Sequence, residues 1–150
     1  KRQKMINSGR YVNDSMGRYI GKKVVKKIIS QGKNILGAHV LVMGMTFKEN
    51  VSDIRNSKVA DIINEFKDFG AEVDVMDPFA SPLEVLQEYG IRLVERPGKK
   101  YDAVVVAVAH TTYLKLDESY FMSITNEHAV LADVKGVYRG SIHQMIYWSL

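Results

Sequence analysis

The sequence predicts an α/β fold, a three-layer αβα sandwich whose mostly parallel sheet has about five or six strands and is preceded by a long helix. Three observations carry that expectation. From Ala38 onward, short β-branched apolar runs alternate with helical patterns, the signature of βαβ units. Residues 103–109 are apolar without alternation, as a central strand covered on both faces requires. A length of 150 residues at 46% hydrophobic suffices for one full core.

The elements follow in order. Residues 1–12 show no clear period and the chain opens without Met, so it reads as a piece of something longer. Asn13 or Asp14 can cap a helix whose apolar stripe is Met16, Tyr19, Ile20, Val24 and Ile28, ending near Gly32. Gly17 and Gly21 lie one turn apart on an adjoining face and admit close approach of another backbone. Residues 1–34 are therefore expected to be a linker with a long connecting helix, and residues 35–150 the domain proper. An apolar stripe that its own domain need not cover would favour a homodimer through this arm.

Within the domain, residues 40–43 form the first strand. A helix over 57–69 should bury Val59, Ile62, Ile63, Phe66 and Phe69, with Gly70 as its cap. Residues 72–76 form a strand ending at Asp77-Pro78. Ser81, Pro82 and Glu84 supply every start signal for the next helix, and Gly90 stops it. A short strand is expected at 91–94, a turn at 96–100, the buried strand at 103–109, and a helix capped by Asp117 that buries Phe121 and Ile124. Residues 129–134 are another buried strand. The apolar, aromatic stretch 142–150 should pack back on the body. Right-handed crossovers put residues 44–56, Asp77, residues 110–113 and Lys135 on one edge of the sheet.

Composition excludes several functions. With no Cys there is no disulfide, thiolate zinc site or cysteine nucleophile on this chain. There is no apolar run of membrane-spanning length and no signal-like start, so neither a membrane partner nor export is indicated, and the protein reads as cytoplasmic. Residues 1–34 hold ten Lys or Arg against one Asp, a balance of +9, whereas residues 35–150 hold eleven against sixteen acidic groups, −5. The basic arm lacks interleaved aromatics and zinc-finger spacing, so no nucleic-acid partner is expected. The four histidines show no ligand spacing, so no metal is expected and each histidine reads as surface or satisfied.

The chemistry is concentrated in residues 44–56. Strand-to-helix connections commonly take about 2–6 residues, whereas this one runs to about a dozen and carries Lys48, Asp53 and Arg55, which marks a binding loop. Lys48 and Arg55 are two cations near a helix N-terminus, suited to phosphate, and Phe47 offers an apolar surface for a base or sugar. Asp53 is placed to orient Arg55. Only Gly44 of a Gly-x-Gly-x-x-Gly fingerprint is present, so a complete dinucleotide site on this domain is not expected. A receiver domain would need an acidic pair after the first strand, where Gly44-Met45 stands. Asp77 is either a ribose acceptor or a turn aspartate before Pro78.

Gly44-Met-Thr-Phe-Lys48 followed by Asp53-Ile-Arg55-Asn-Ser57 closely resembles the Gly-x-x-Phe-Lys…Asp-x-Arg-x-Ser signature of the UDP-glucose/GDP-mannose dehydrogenase family, in its C-terminal UDP-sugar-binding domain. Residues 9–17 resemble that family's lead into the long interdomain helix, and Asp77-Pro78 and Asp133-Val-Lys135-Gly136 resemble two further family positions. The wording is most similar to members acting on UDP-N-acetylhexosamines, of the Vi-antigen and capsule type. The resemblance implies a Rossmann-like sheet and an enzyme that oxidises a sugar C6 hydroxyl to a carboxylate with two NAD. Phe47, Lys48 and Lys135 would then bind the UDP-sugar and Arg55 would reach NAD. The catalytic Cys and the main NAD site would lie in parts of the polypeptide this chain does not contain. No catalytic residue falls on this chain, and alone it should be inactive. Where several UDP-glucose members carry Arg-Asn after the Asp matching Asp133, Lys135-Gly136 stands here. The alternative of a different class is a non-enzymatic, flavodoxin-like nucleotide-binding or scaffold module.

Overall fold

The computed structural model describes residues 8–150, with side chains from residue 16. Five strands, β1 (His39–Met43), β2 (Glu72–Met76), β3 (Tyr101–Val106), β4 (Thr125–Asp133) and β5 (Ile146–Ser149), make one sheet in the order β2-β1-β3-β4-β5. Every pair is parallel. Residue Leu93 adds an isolated parallel bridge to Val75 outside β2. Counted with that bridge, the order is the doubly wound one of Rossmann folds, and its switch point lies between β1 and β3.

The sheet's two faces follow from the two-residue period of its strands. Val40, Val42, Ala103, Val105, Val130 and Ala132 pack under α1 (Ser8–Ser30), α2 (Val59–Asp68) and α3 (Pro82–Tyr89). Leu41, Met43, Val104, Val106 and Leu131 face a thinner layer built from a 3₁₀ turn (Thr111–Lys115), α4 (Glu118–Ser123) and segment 134–145. That layer is closed by Tyr113, Phe121 and Tyr138.

The helices start and stop where local chemistry dictates. Ser81 accepts the Glu84 N–H and Pro82 occupies the first turn of α3, while Gly90 closes it in the left-handed conformation. Asp117 accepts the Tyr120 N–H and so starts α4.

Several expectations are corrected. The first helix is already running at Asn13 and Asp14, so neither caps it. Residues 1–7 lie outside the described residues, as do the side chains of 9–15 that belong to the linker resemblance. The apolar stripe of α1 is not left bare, because Ile20, Val24, Val25 and Ile28 are buried in the domain's own core and Tyr19 points out. Gly17 and Gly21 do admit another backbone, and it is that of α2: a Cβ on Gly17 would lie 2.6 Å from Asp61 Cβ, and one on Gly21 2.7 Å from Glu65 Cβ. The stated motive for a dimer through that stripe is thereby gone. Phe69 is 40% exposed rather than buried, since α2 ends beside it. The strand expected at 91–94 is a single bridge, whereas the tail packs back on the body as expected and does so as a fifth strand, β5.

Candidate functional site

Loop 44–58 leaves β1 at its carboxyl end, beside the switch point. Gly44 has φ +103°, and a Cβ there would meet Val108 Cβ at 2.6 Å, so only glycine allows β1 to turn this close to the chain leaving β3. Beyond it the loop is fastened from behind. Asp77, at the end of β2, accepts the Met45 and Thr46 N–H groups on Oδ2 at 2.6 and 3.0 Å, and the Phe79 N–H on Oδ1 at 2.8 Å. His110 Nε2 lies 3.0 Å from the same Oδ2, and both side chains are fully buried. The Asn50 N–H donates to His110 Nδ1 at 2.9 Å.

Asp77 is therefore the turn aspartate of its two readings, with its oxygens occupied by the loop rather than presented to a sugar. His110 is a satisfied, buried histidine packed against Phe79 with ring centroids 4.5 Å apart. Asn50 holds φ +62° and latches the loop to the turn after β3, donating to Thr111 Oγ1 at 2.7 Å and accepting the Thr111 N–H at 2.9 Å. This three-strand fastening of the loop is what sequence reasoning missed. The available signal was a lone His after the central strand β3 and an Asp-Pro at the end of β2, on the two strands that flank β1.

The side chains singled out from the sequence project from this scaffold. Phe47 is 55% exposed, and its N–H donates to the Asp53 carbonyl, which closes the loop on itself. Lys48 is exposed; Thr46 Oγ1 donates to its carbonyl at 2.8 Å, so its backbone is held while its ammonium has no carboxylate partner among the described residues. Arg55 is gripped by Asp53 through Nε and Nη2, both at 3.1 Å, the two-pronged geometry that orients a guanidinium. That pairing holds the Asp53 carboxyl below its usual range and raises Arg55. Arg55, Asp53 and Ile54 line an open groove of about 490 Å³ with Glu84, Gln87 and Glu88 of α3.

Lys135 follows β4 and is exposed. The turn that carries it is set by Asp133, which accepts the Val137 and Tyr138 N–H groups at 3.0 and 2.7 Å. Only β3 separates β1 from β4, so the Lys48 and Lys135 loops emerge about 10 Å apart at 4.7–4.9 Å per strand. All four residues thus lie on one edge, with Lys48 and Lys135 on either side of the switch strand and Arg55 further along the first loop. Among the described residues no cluster of His, Asp or Glu is arranged to hold a metal, and no helix is long and apolar enough to cross a membrane.

This is a doubly wound α/β domain whose Lys48, Lys135 and Phe47 side chains are exposed at the carboxyl edge of the sheet, the loop after β1 being fastened by the buried Asp77 and His110. The chain belongs to the UDP-glucose/GDP-mannose dehydrogenase family, whose UDP binding domain matches residues 41–140. It is 38% identical over 89% of its length to the UDP-N-acetyl-D-glucosamine 6-dehydrogenase of Salmonella typhi, and covers 32% of that protein. It is 39% identical over 87% of its length to the enzyme of the same description from Pseudomonas aeruginosa, covering 31% of it. The structure of the UDP-N-acetyl-mannosamine dehydrogenase Cap5O from Staphylococcus aureus superposes with a TM-score of 0.74 at 27% identity, over 99% of this chain and 34% of that one. The chain spans about a third of the length of the curated relatives it matches.

Proposed function

We propose that this chain is the nucleotide-sugar-binding domain of an NAD-dependent UDP-sugar 6-dehydrogenase acting on a UDP-N-acetylhexosamine for surface-polysaccharide synthesis in the cytoplasm. The observation that carries the reading is the Lys48 turn: an ammonium with no carboxylate partner among the described residues and an exposed Phe47 ring, on a loop whose backbone is pinned by buried groups. Lys48 supplies a charge-assisted donor to a diphosphate oxygen, Phe47 an apolar face for the base or sugar, and Lys135 a second cation across β3.

NAD does not fit this chain as a resident cofactor. The loop after β1 has no glycine-rich turn, and fifteen residues, 44–58, separate the strand from α2, so no helix N-terminus stands at the strand end to take a pyrophosphate. NAD belongs mainly to the rest of the polypeptide, and Arg55, oriented by Asp53, reaches it across the interdomain cleft. The homodimer in this reading forms through the connecting helix α1, whose outward face exposes Tyr19 and Ile29.

The test has two arms. Titration calorimetry of the chain with UDP should give binding that Lys48→Ala weakens. The same chain with UDP-N-acetylglucosamine and NAD should form no NADH, because it carries neither a cysteine nor a dinucleotide cradle. NADH formation by the chain alone, or no UDP binding at all, would refute the proposal.

A further inference from the structure

His110 and Asp77 are buried behind the loop, and the reading above uses neither to touch a ligand. Their hydrogen bonds fix the state of the ring. The Asn50 N–H donates to Nδ1, so Nδ1 carries no proton; the neutral ring keeps its proton on Nε2 and donates it to Asp77 Oδ2. His110 is thus a relay between the end of β2 and the loop after β1, mounted on the chain leaving β3. On that loop, residues 46–50 are held at both ends: Thr46 by Asp77 through its N–H, and Asn50 by His110 and Thr111. Between these anchors the side chains of Phe47, Lys48 and Glu49 are exposed.

We propose that His110 is a positioning residue for nucleotide binding, its Nδ1 lone pair accepting the Asn50 N–H and so fixing the turn that presents Lys48 to a phosphate-bearing ligand. The inference rests on the assignment of Lys48 as a nucleotide contact. It is separable from a packing role, because the ring sits between Phe79 and Tyr113, with centroids at 4.5 and 5.3 Å, and a phenyl ring would keep those contacts. It is also separable within the ring. An asparagine amide overlays Nδ1 and retains the acceptor, whereas a glutamine amide overlays Nε2 and retains only the donor to Asp77.

Calorimetric titration of UDP into the full-length protein tests this with His110→Asn, His110→Gln and His110→Phe. Losing one hydrogen bond that orders the turn should weaken UDP binding about 3- to 10-fold in the Gln and Phe variants and leave the Asn variant within about 2-fold of the parent. Asn50→Gly, at an exposed position whose positive φ glycine accepts, removes the Thr111 latch and should weaken binding in the same direction even if His110→Phe does not fold. Nitrogen-15 spectra of the parent should show His110 with Nδ1 unprotonated. Parent binding that is unchanged in both His110→Gln and Asn50→Gly, or a protonated Nδ1, would overturn this proposal alone. Absence of UDP binding by the parent would overturn the functional reading beneath it.

Discussion

Lys48 and Arg55 sit on one loop yet are held in opposite ways, and the roles proposed for them differ accordingly. Lys48 has a fixed backbone and an ammonium with no carboxylate partner among the described residues, whereas Arg55 has its guanidinium committed to Asp53 and its outer edge in solvent. A charge-assisted hydrogen bond is worth about 1.5–3 kcal/mol, so Lys48→Ala in the full-length enzyme should cost roughly 10- to 150-fold, mainly in use of the UDP-sugar. Arg55→Ala should weaken NAD use and leave UDP binding by this domain within about twofold, as for an exposed surface change. Steady-state kinetics with each substrate varied in turn checks both. Constants unchanged for both variants would sink the site assignment while leaving the fold intact. That Lys48, Arg55 and Lys135 follow strands at one edge of the sheet was legible in the sequence, because it depends only on the order of strands and loops along the chain. The support beneath them was not, because Asp77 and His110 are 33 residues apart and meet only once β2 and β3 flank β1.

The contact of α1 with α2 rests on two missing side chains. Gly17 and Gly21 let α1 approach until Arg18 and Lys22 both reach the buried Glu65, at 2.8 Å each. Burial pulls the Glu65 carboxyl upward, but the two cations outweigh it and hold it below its ordinary range. Gly21→Leu would force the helices apart and strip that pairing; overpacking alone costs about 1–3 kcal/mol, or a melting temperature lower by about 2–12 °C. Gly98→Ala, where an added Cβ meets nothing within 4 Å, is the control and should leave the melting temperature unchanged or slightly higher. Equal melting temperatures for the two variants would show that the glycine pair is merely tolerated. At this scale the sequence was legible wherever the signal is local. Ser81, Pro82, Glu84 and Gly90 bound α3 as read. It was not legible where an element is defined by its neighbour: β5 exists because β4 offers a free edge, and the α1 stripe finds its cover in α2 and the sheet.

Across the whole molecule, carboxylates do the fastening where helices do not. Segment 134–145 joins two parallel strands without a helix, and Glu118 on α4 secures it by accepting the N–H groups of His143, Gln144 and Met145. At the opposite end of the strands Asp102 accepts from the His39 N–H, Asn126 and Lys33. For both acids burial pulls the carboxyl up, and the hydrogen bonds outweigh it, leaving each below its usual range. A carboxyl lowered on folding adds stability that is complete above its unfolded value and is lost as pH falls through the lower folded one. The melting temperature should therefore hold steady from pH 7 to about 5 and fall below about 4, where unfolded Asp and Glu take up protons. Tyrosines act in the other direction. Burial and Asp74 push Tyr101 up to about 12, and burial and Asp133 push Tyr147 up to about 12, so their contribution is complete below about pH 10 and is lost as pH rises toward 12. Glu118→Ala isolates one of these fasteners. It should lower the melting temperature at pH 7, speed hydrogen exchange at the amides of 143–149, and shrink the acid-side loss, because the variant has one carboxylate fewer to protonate. An acid limb identical to the parent's, with unchanged exchange in β5, would show that this strand is held by its pairing with β4 alone.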